Sequence, residues 1–406
     1  MKYDLLLKGG KVFDPGSNQC DYLDVSIKNE KIATVARNIQ SNEACNTIEV
    51  TGKYVFPGFI DFHTHTYWGG TPLGINVDQL APVSGVTTWI DAGSSGPGNF
   101  EGFLHHVITP SIVNIMPFLN LSFVGLVTVG QTELRFGELF DYRLADKDAC
   151  LRIISKFKNI IGIKLRLGHT SSGPNGLYYL SLARFLGDIS RLPLMVHVDQ
   201  PPLLKEVLSY LKEGDIITHC FAKGLIGNIN NSEYIKGCVT ESKKRGVYFD
   251  LGHGAGSFSF LVAKKAISQG FLPDFISTDL HAYNVGGPVF DLPTTISKFL
   301  ALGVPLKELI ARVTVDPARF LNLENKKGCI IQGADADIAI GHIEEGKFAY
   351  SDSFGNIQQH DKRLVIDFTI FKGNILKKPN KIENGKRKPG LIPLDSNLTL
   401  PNWWSS

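Results

Sequence analysis

The strongest constraint on the fold is a series of eight short apolar runs between residues 54 and 280. Each run ends in a polar or glycine-rich stretch, and the segments between runs are long enough for a helix. The runs end at residues 63, 93, 122, 167, 198, 221, 254 and 280. Eight β-then-α units of this kind predict an α/β fold, a closed parallel (β/α)8 barrel with its reactive groups at the C-terminal ends of the strands.

The two ends of the chain have a different sequence pattern. Residues 4–36 and 326–341 alternate strand-like runs with glycine and asparagine turns, which predicts one small β-domain built from both ends. We expect this β-domain to cover residues 1–54 and 326–390, the barrel to cover 55–325, and a tail to cover 391–406. The basic stretch at 377–390 is typical of a solvated segment.

Composition excludes several classes of function. The 406 residues include 42 Lys plus Arg and 39 Asp plus Glu, and a net charge of +3 is too small to attract nucleic acid. No stretch approaches the ~18 apolar residues of a membrane span, and the chain starts without a signal-peptide pattern. Six cysteines without a Cys-x-x-Cys pair indicate reduced thiols. We expect a cytoplasmic protein without nucleic-acid or membrane partners.

The positions of the histidines point to chemistry. Five of the eleven lie at the ends of four predicted barrel strands, and the first two are His63 and His65. Residues at i and i+2 of a strand point the same way, so both imidazoles can face one ion, although such a pair is also common in cores and on surfaces. His197 and His219 end the fifth and sixth strands, and Asp279 ends the eighth.

Lys164 lies between Ile163 and Leu165 in the fourth strand, so alternation places it opposite these apolar neighbours. A buried ammonium favours the neutral amine, which can react with carbon dioxide to form a carbamate, an anionic ligand that can bridge two cations. An ion pair is the alternative for this lysine. Taken together, four imidazoles, a carbamate and a carboxylate suit two zinc-like ions with hydrolytic water between them.

The motifs VFPGFIDFHTH, IGIKLRL, MVHV, ITHC and STDLH, in this order, resemble the amidohydrolase superfamily with its binuclear metal centre. The resemblance runs from DLLLKGGKVFDP to GADADIAI and implies a distorted TIM barrel with a β-sandwich split between the chain ends. THCFAKG, GVYFDLGHGAGSFSF and TVDPARFL look like the dihydroorotase-related, deacetylase-like branch.

The resemblance implies a role for each ligand position. His63, His65 and Asp279 would bind the first divalent ion, His197 and His219 the second, and carboxylated Lys164 would bridge two ions, expected to be zinc. A hydroxide shared by the ions would attack the substrate carbonyl, while Asp279 would take its proton and deliver it to the leaving group.

Candidates for substrate contacts lie in loops after the barrel strands. Arg166, on the same strand face as Lys164, can offer a guanidinium fork to a carboxylate or form an internal salt bridge. His253 lies in a Gly-His-Gly turn, where a structural role is equally expected. The remaining candidates are His281, Tyr67 and His169. We expect surface positions for His105, His106, His342 and His360.

These residues predict a hydrolase that cleaves an acyl amide or ester of a small carboxylate-bearing molecule, in the manner of a deacetylase. Dihydroorotases commonly place an arginine after the paired histidines, whereas Thr66 and Tyr67 follow here. A cyclic amidohydrolase of dihydroorotase or hydantoinase type is the alternative. A mononuclear deaminase has no need of a carbamate, and a non-catalytic scaffold would not need all six ligands. The large barrel is compatible with a homodimer or higher homo-oligomer.

Overall fold

The computed structural model describes residues 1–129, 136–227 and 235–377, and the structural statements below concern these residues. The end of the predicted β-domain, residues 378–390, and the predicted tail at 391–406 lie outside them.

Five strands open the chain and belong to one largely antiparallel sheet. Their bounds are β1 (Tyr3–Asp14), β2 (Gln19–Lys28), β3 (Lys31–Ala36), β4 (Ala44–Glu49) and β5 (Tyr54–Pro57). β1 pairs antiparallel with β2 and parallel with β4 and β5. Alternation within β1 and β2 buries one row of aliphatic side chains, among them Leu7, Val12 and Val25.

Seven parallel strands form the barrel wall, in the order of the chain. They are β6 (Phe59–Thr64), β7 (Val86–Asp91), β8 (Asn114–Asn120), β9 (Gly162–Leu167), β10 (Leu194–Val198), β11 (Ile216–Ile217) and β12 (Tyr248–Phe249). β6 and β12 are the edges of this seven-stranded sheet.

The eighth predicted strand is present as a connection and not as a regular strand. Phe275 forms a parallel bridge to Asp250, just after β12, and Leu280 forms one to Thr64 in β6. The amide of Asp279 also donates to the carbonyl of His63 at 2.7 Å. Residues 275–280, the closing segment, therefore join the two edges of the sheet. The fold is a distorted TIM barrel, as predicted.

Ten α-helices accompany the described strands. Their bounds are α1 (Ala81–Ser84), α2 (Phe100–Phe103), α3 (Lys147–Lys156), α4 (Gly176–Ser190), α5 (Leu204–Tyr210), α6 (Gly237–Lys244), α7 (Phe260–Ser268), α8 (Leu292–Ala301), α9 (Leu306–Ala311) and α10 (Val315–Phe320). Capping fixes several of them: the Asp291 carboxylate accepts from the amide of Thr294 at 2.7 Å at the start of α8.

Three strands after the barrel return to the first sheet. β13 (Ile338–Ser351) pairs antiparallel with β5 and with β14 (Ile357–Phe371), which carries the short β15 (Asn374–Ile375) at the edge. Both ends of the chain thus build one sheet around the barrel segment. The exact domain bounds given above stay predictions.

Along the barrel axis, the interior has one apolar layer and one layer of polar side chains. Met195 pairs in register with Lys164 and belongs to an apolar cluster that also contains Phe62, Phe118 and Phe275. The rings of Phe62 and Phe275 are 4.1 Å apart. This apolar plug fills the barrel beneath the polar side chains, as close packing requires.

Candidate metal centre

The predicted site residues come from strands around the barrel and meet at one end of it. His63 lies in β6, Lys164 in β9 and His197 in β10. The other three follow strands or the closing segment: His65 comes just after β6, His219 shortly after β11, and Asp279 near the end of the closing segment.

Three of these side chains form a compact group. The Nε2 atoms of His63 and His65 lie 3.4 and 3.1 Å from Oδ1 of Asp279. One ligand atom from each of the three residues lies within 4.8 Å of the others, a spacing that a single ion can bridge. The two histidines are buried, whereas 12% of the Asp279 side chain is exposed. All three residues are buried, and Asp279 is the least deeply buried of them.

The other members adjoin this group. The rings of His63 and His219 are 5.1 Å apart, and those of His219 and His197 are 4.6 Å apart. Nζ of Lys164 lies 3.4 Å from Nε2 of His63. The six predicted ligand positions thus form one cluster, although their role as ligands stays a prediction.

A hydrogen-bond network sets the tautomer of His63. Its Nδ1 lies 3.0 Å from Oδ2 of Asp250 and 2.9 Å from Oγ1 of Thr218. Thr218 itself donates to Asp250 at 2.7 Å, and Ser277 donates to the other carboxylate oxygen at 2.5 Å. An ionised carboxylate only accepts, so Nδ1 of His63 carries the hydrogen and Nε2 keeps its lone pair toward Asp279.

His65 is oriented by a similar relay. Its Nδ1 lies 3.0 Å from Oγ of Ser94, and that hydroxyl donates to Asp91 at 2.8 Å. The amide of Thr66 also donates to Asp91, at 2.7 Å. Because Ser94 donates its hydroxyl hydrogen to Asp91, its oxygen accepts a hydrogen bond from Nδ1 of His65. The Nε2 lone pair again faces the cluster.

A backbone carbonyl fixes the third imidazole. Nδ1 of His219 donates to the carbonyl of Gly252 at 2.7 Å. A Cβ on Gly252 would lie 2.4 Å from Oγ1 of Thr218 and 2.8 Å from Nδ1 of His219, and its φ is +46°. Only glycine fits here. The Nε2 atom of His219 is consequently available as a ligand.

Burial keeps these imidazoles neutral. Loss of hydration lowers the pKa of His65 to about 3 and that of His219 to about 4, and it holds the pKa of His63 and His197 well below the usual range. Neutral histidines with a free Nε2 are the form that binds metal ions.

Lys164 is fully buried in the same cluster. Burial lowers the pKa of its ammonium to about 8. No carboxylate oxygen of the described residues lies within 4.0 Å of Nζ, so the ion-pair alternative finds no direct partner there. Gly93 makes room for the lysine stem, because a Cβ at that position would lie 2.3 Å from Cβ of Lys164.

Asp61 positions the closing segment. Thr278 donates to the Asp61 carboxylate from its amide at 3.0 Å and from its hydroxyl at 2.6 Å. Burial raises the pKa of Asp61 to about 7. Asp279, the next residue, has a positive φ of +48°, and Asn284 donates to its carbonyl at 2.8 Å. The hydrogen bonds of Thr278 to Asp61 and of Asn284 to the Asp279 carbonyl hold the backbone in this unusual conformation.

Arg166 forms an internal salt bridge, one of the two alternatives expected for it. Its Nη1 lies 3.2 and 3.3 Å from the two carboxylate oxygens of Glu138. Glu138 is almost fully buried, and burial raises the pKa of its carboxyl group. The arginine uses one of its nitrogens in this contact, so other donors of the guanidinium can still reach a ligand.

The remaining substrate candidates are dispersed. His281 is buried, with its ring 6.4 Å from that of His65. Tyr67 stacks on Phe103 at 4.6 Å, and His169 is exposed in the loop after β9. Both ring nitrogens of buried His253 contact protein groups, the carbonyl of Gly254 and the ammonium of Lys298. Of these four, His281 has its ring beside that of His65.

The other predicted positions are less central. His105 and His106 are exposed as expected, whereas His342 and His360 are partly buried. His342 contacts Asp367 at 3.0 Å. All six cysteines are free, and Cys220 is buried in the core beside His219.

Sequence reasoning missed the residues behind the ligands. The carboxylates of Asp61, Asp91 and Asp250 are fully buried and bonded to the site. Each stands in or directly after an apolar barrel run, in FID, WID and YFD. An acidic residue in such a run was the available signal, because a buried carboxylate requires partners.

Comparison with known proteins identifies the family. The chain is 35% identical over 350 residues to a deacetylase of Agrobacterium fabrum, across 86% of this chain and 84% of the relative. The model of the amidohydrolase family matches residues 259–376. The chain belongs to the amidohydrolase superfamily. It is therefore an enzyme, a metal-dependent amidohydrolase that acts on carbon–nitrogen bonds of small molecules.

Solved structures of the superfamily share the whole architecture. One described as an adenine deaminase has a TM-score of 0.83 and 34% identity, covering 92% of this chain and 99% of that one. One described as a dihydroorotase has a TM-score of 0.81 and 33% identity, covering 91% and 97%. Relatives of similar identity thus carry three different activities in their names, and the names alone do not choose a substrate. None of the described helices of this amidohydrolase could cross a membrane.

Proposed function

We propose that this amidohydrolase holds two divalent ions, expected to be zinc, and removes an acyl group from an amide of a small carboxylate-bearing molecule. The observation that carries the proposal is the convergence of Nε2 of His63 and His65 on the Asp279 carboxylate, next to the His219 ring and a buried lysine. The deacetylase name of the A. fabrum relative supports the reaction class.

The donor set fits two ions better than one. His63, His65 and Asp279 offer a complete three-ligand group. His197 and His219 supply only two ligands, and the neighbouring Lys164 would complete the second group if its amine carried a carbamate. The lowered pKa of Lys164 favours the neutral amine that reacts with carbon dioxide. The carbamate would also remove the cost of burying an unpaired ammonium.

When bound, the ions would supply electrophilic activation of the acyl carbonyl and increase the acidity of water. Asp279 would take the proton of the attacking water at its carboxylate and return it to the amide nitrogen as the carbon–nitrogen bond breaks. It is the least deeply buried of the three residues in its group, which suits this role.

Arg166 would bind the substrate carboxylate. Its guanidinium lies on the Lys164 side of β9, and Glu138 holds it in place through one nitrogen. Tyr67 follows the paired histidines where dihydroorotases commonly have an arginine, and its ring packs on Phe103. Anchoring from β9 would place the substrate carboxylate differently from an arginine at the position of Tyr67.

Cyclic amide hydrolysis is the second candidate, because a structure described as a dihydroorotase covers 91% of the chain. A hydrolysis screen of zinc-loaded protein in bicarbonate separates the two. N-acetyl amino acids, O-acetyl hydroxy acids, dihydroorotate and hydantoins are offered in parallel, with Asp279→Asn as the inactive control. Acetate release from open-chain compounds supports the deacetylase, whereas ring opening alone would replace it by the cyclic amidohydrolase.

A further inference from the structure

A buried lysine–histidine pair lies behind the metal cluster. Nζ of Lys298, in α8, is 2.7 Å from Nε2 of His253 and donates to the carbonyl of Pro288 at 2.8 Å. Both side chains are almost completely buried. Nδ1 of His253 is 2.9 Å from the carbonyl of Gly254, which can only accept, so Nε2 of His253 accepts from Lys298.

The turn at residues 252–254 touches two of the proposed metal ligands. The carbonyl of Gly252 accepts from Nδ1 of His219 at 2.7 Å. On the other side, a Cβ at Gly254 would lie 2.6 Å from Oδ2 of Asp279. A small displacement of this turn would move the His219 imidazole and the Asp279 carboxylate together.

Hydrogen bonds to serine side chains also hold the turn, from the amide of Gly252 to Ser277 at 2.8 Å and from Ser353 to the carbonyl of Gly254 at 3.0 Å. Gly252 and Gly254 have φ values of +46° and +56° and no side chains that could pack. Backbone bonds from His253 and Gly254 to residues 277 and 278 are 3.2 and 3.0 Å long. His253 is its only residue with a side chain, and that ring packs on Phe258 at 4.5 Å and is bonded to Lys298 of α8.

The polar character of the pair is costly. No carboxylate of the described residues forms an ion pair with Lys298, whose pKa burial lowers to about 7. A cavity of about 600 Å³ adjoins the lysine between α8 and the β13–β14 hairpin. An apolar pair of similar size would hold α8 against the turn without burying a cation.

We propose that Lys298 is a positioning residue of the metal centre. Through His253 it sets the turn at 252–254, and through the turn it sets the orientation of His219 and Asp279. The inference rests on the proposed function, since it assumes that these two residues bind metal.

Cobalt-substituted protein tests this role, because the visible spectrum of Co²⁺ reports ligand geometry directly. Lys298→Met keeps the length of the side chain and removes its donor. We expect it to bind the same number of cobalt ions per chain as the wild type, with a changed visible spectrum and an affinity for cobalt lowered about tenfold. Lys264→Met, at an exposed position in α7, is the matched control and should leave both unchanged.

A double variant distinguishes a loss of positioning from a loss of folding. His253→Phe combined with Lys298→Met replaces both polar partners by apolar groups of similar size, so neither partner is left unpaired by the loss of the other. The carbonyl of Gly254 keeps the Ser353 hydroxyl as a donor, and the carbonyl of Pro288 loses its bond to Lys298. We expect a melting temperature close to that of the wild type together with the same altered cobalt spectrum. A wild-type spectrum and affinity in the folded variants would overturn the positioning role. A wild-type protein that binds no cobalt would instead refute the proposed metal-dependent function.

Discussion

His63 and Asp250 link the two edges of the seven-stranded barrel sheet. Nδ1 of His63, in β6, lies 3.0 Å from Oδ2 of Asp250, which directly follows β12, and both side chains are buried. The closing segment connects the same two edges through isolated bridges. The hydrogen bond to Asp250 therefore orients the His63 imidazole and also spans the two sheet edges that the closing segment joins. The orientation of His63 and the closure of the barrel both involve the Asp250 carboxylate.

Replacing Asp250 should weaken metal binding without removing a ligand. In Asp250→Asn the neutral amide no longer requires a hydrogen on Nδ1 of His63, so the Nε2 lone pair is less firmly directed at the cluster. We expect zinc affinity to fall 10- to 100-fold, measured by competition with a chelator. Asp361→Asn is a suitable control because that side chain is 76% exposed. Equal zinc affinity in both variants would show that His63 needs no such support.

Asp279→Asn tests the proposed proton transfer. The amide cannot take the proton of the attacking water, so turnover of an N-acetyl amino acid should fall by about 10²- to 10⁴-fold while KM changes little. The measurement compares kcat at equal zinc content. Asp199→Asn, an exposed position after β10, should keep wild-type turnover. A fall of less than tenfold in Asp279→Asn would assign the proton transfer to another group.

The salt bridge of Arg166 leads to a prediction about selectivity. Arg166→Lys replaces the planar fork by a point charge, so we expect about a tenfold lower kcat/KM for an N-acetyl amino acid, or ~1.4 kcal/mol. The uncharged amide of the same compound should lose much less. Arg143→Lys, at a side chain that is 76% exposed, is the control. Equal losses for the charged and uncharged compounds would remove Arg166 from carboxylate recognition.

The buried histidines predict the pH dependence of metal-free protein. Burial lowers the pKa of His65 to about 3 and those of His219 and His281 to about 4. Burial also holds the pKa values of His63, His197 and His253 well below their usual range. Between pH 6.5 and 4 the unfolded chain therefore binds more protons than the folded one, and stability falls as the pH falls.

Carboxyl groups whose pKa is raised by burial act in the opposite direction, among them Glu138, Asp215, Asp291 and Asp316. The raised pKa values of Asp61, about 7, and Asp250, about 6, cost stability as the pH rises from 4 toward 7. The pKa values of the six histidines are moved further from their ordinary range than those of most of these carboxyl groups, so the histidines dominate. We expect the melting temperature of zinc-free protein, followed by circular dichroism, to decrease steadily from pH 6.5 to 4. An increase over this range would mean that the imidazoles are protonated in the folded state.

The sequence predicts the parts of this site that depend on local periodicity. Alternation in IGIKLRL identifies Lys164 as an inward residue, and Met195 in the barrel interior is its neighbour in register. The apolar residues of LYYLSLARFLGDIS, at 177–190, recur with helical spacing, which predicts a helix where the structure has α4 (Gly176–Ser190). These features follow from the strand and helix repeats, which any short window of sequence contains.

The contacts that support the site cannot be predicted from a short window of sequence. Glu138 contacts Arg166 from a loop 28 residues earlier, and Lys298 contacts His253 from a helix 45 residues later. No local repeat encodes such pairs, because they depend on how the loops and helices pack around the closed barrel. The closing segment shows the same limit, since its residues form isolated bridges and not the regular strand that its apolar run predicted.

The number of ions per chain tests the central claim most directly. Wild-type protein and Lys164→Ala are equilibrated with zinc and bicarbonate, desalted and measured by plasma mass spectrometry, with Lys158→Ala at an exposed position as the control. We predict two zinc ions in the wild type and the control, and at most one in Lys164→Ala, with partial recovery of activity in short carboxylic acids. Two tightly bound ions and full activity in Lys164→Ala would contradict the bridging lysine and the binuclear centre built around it.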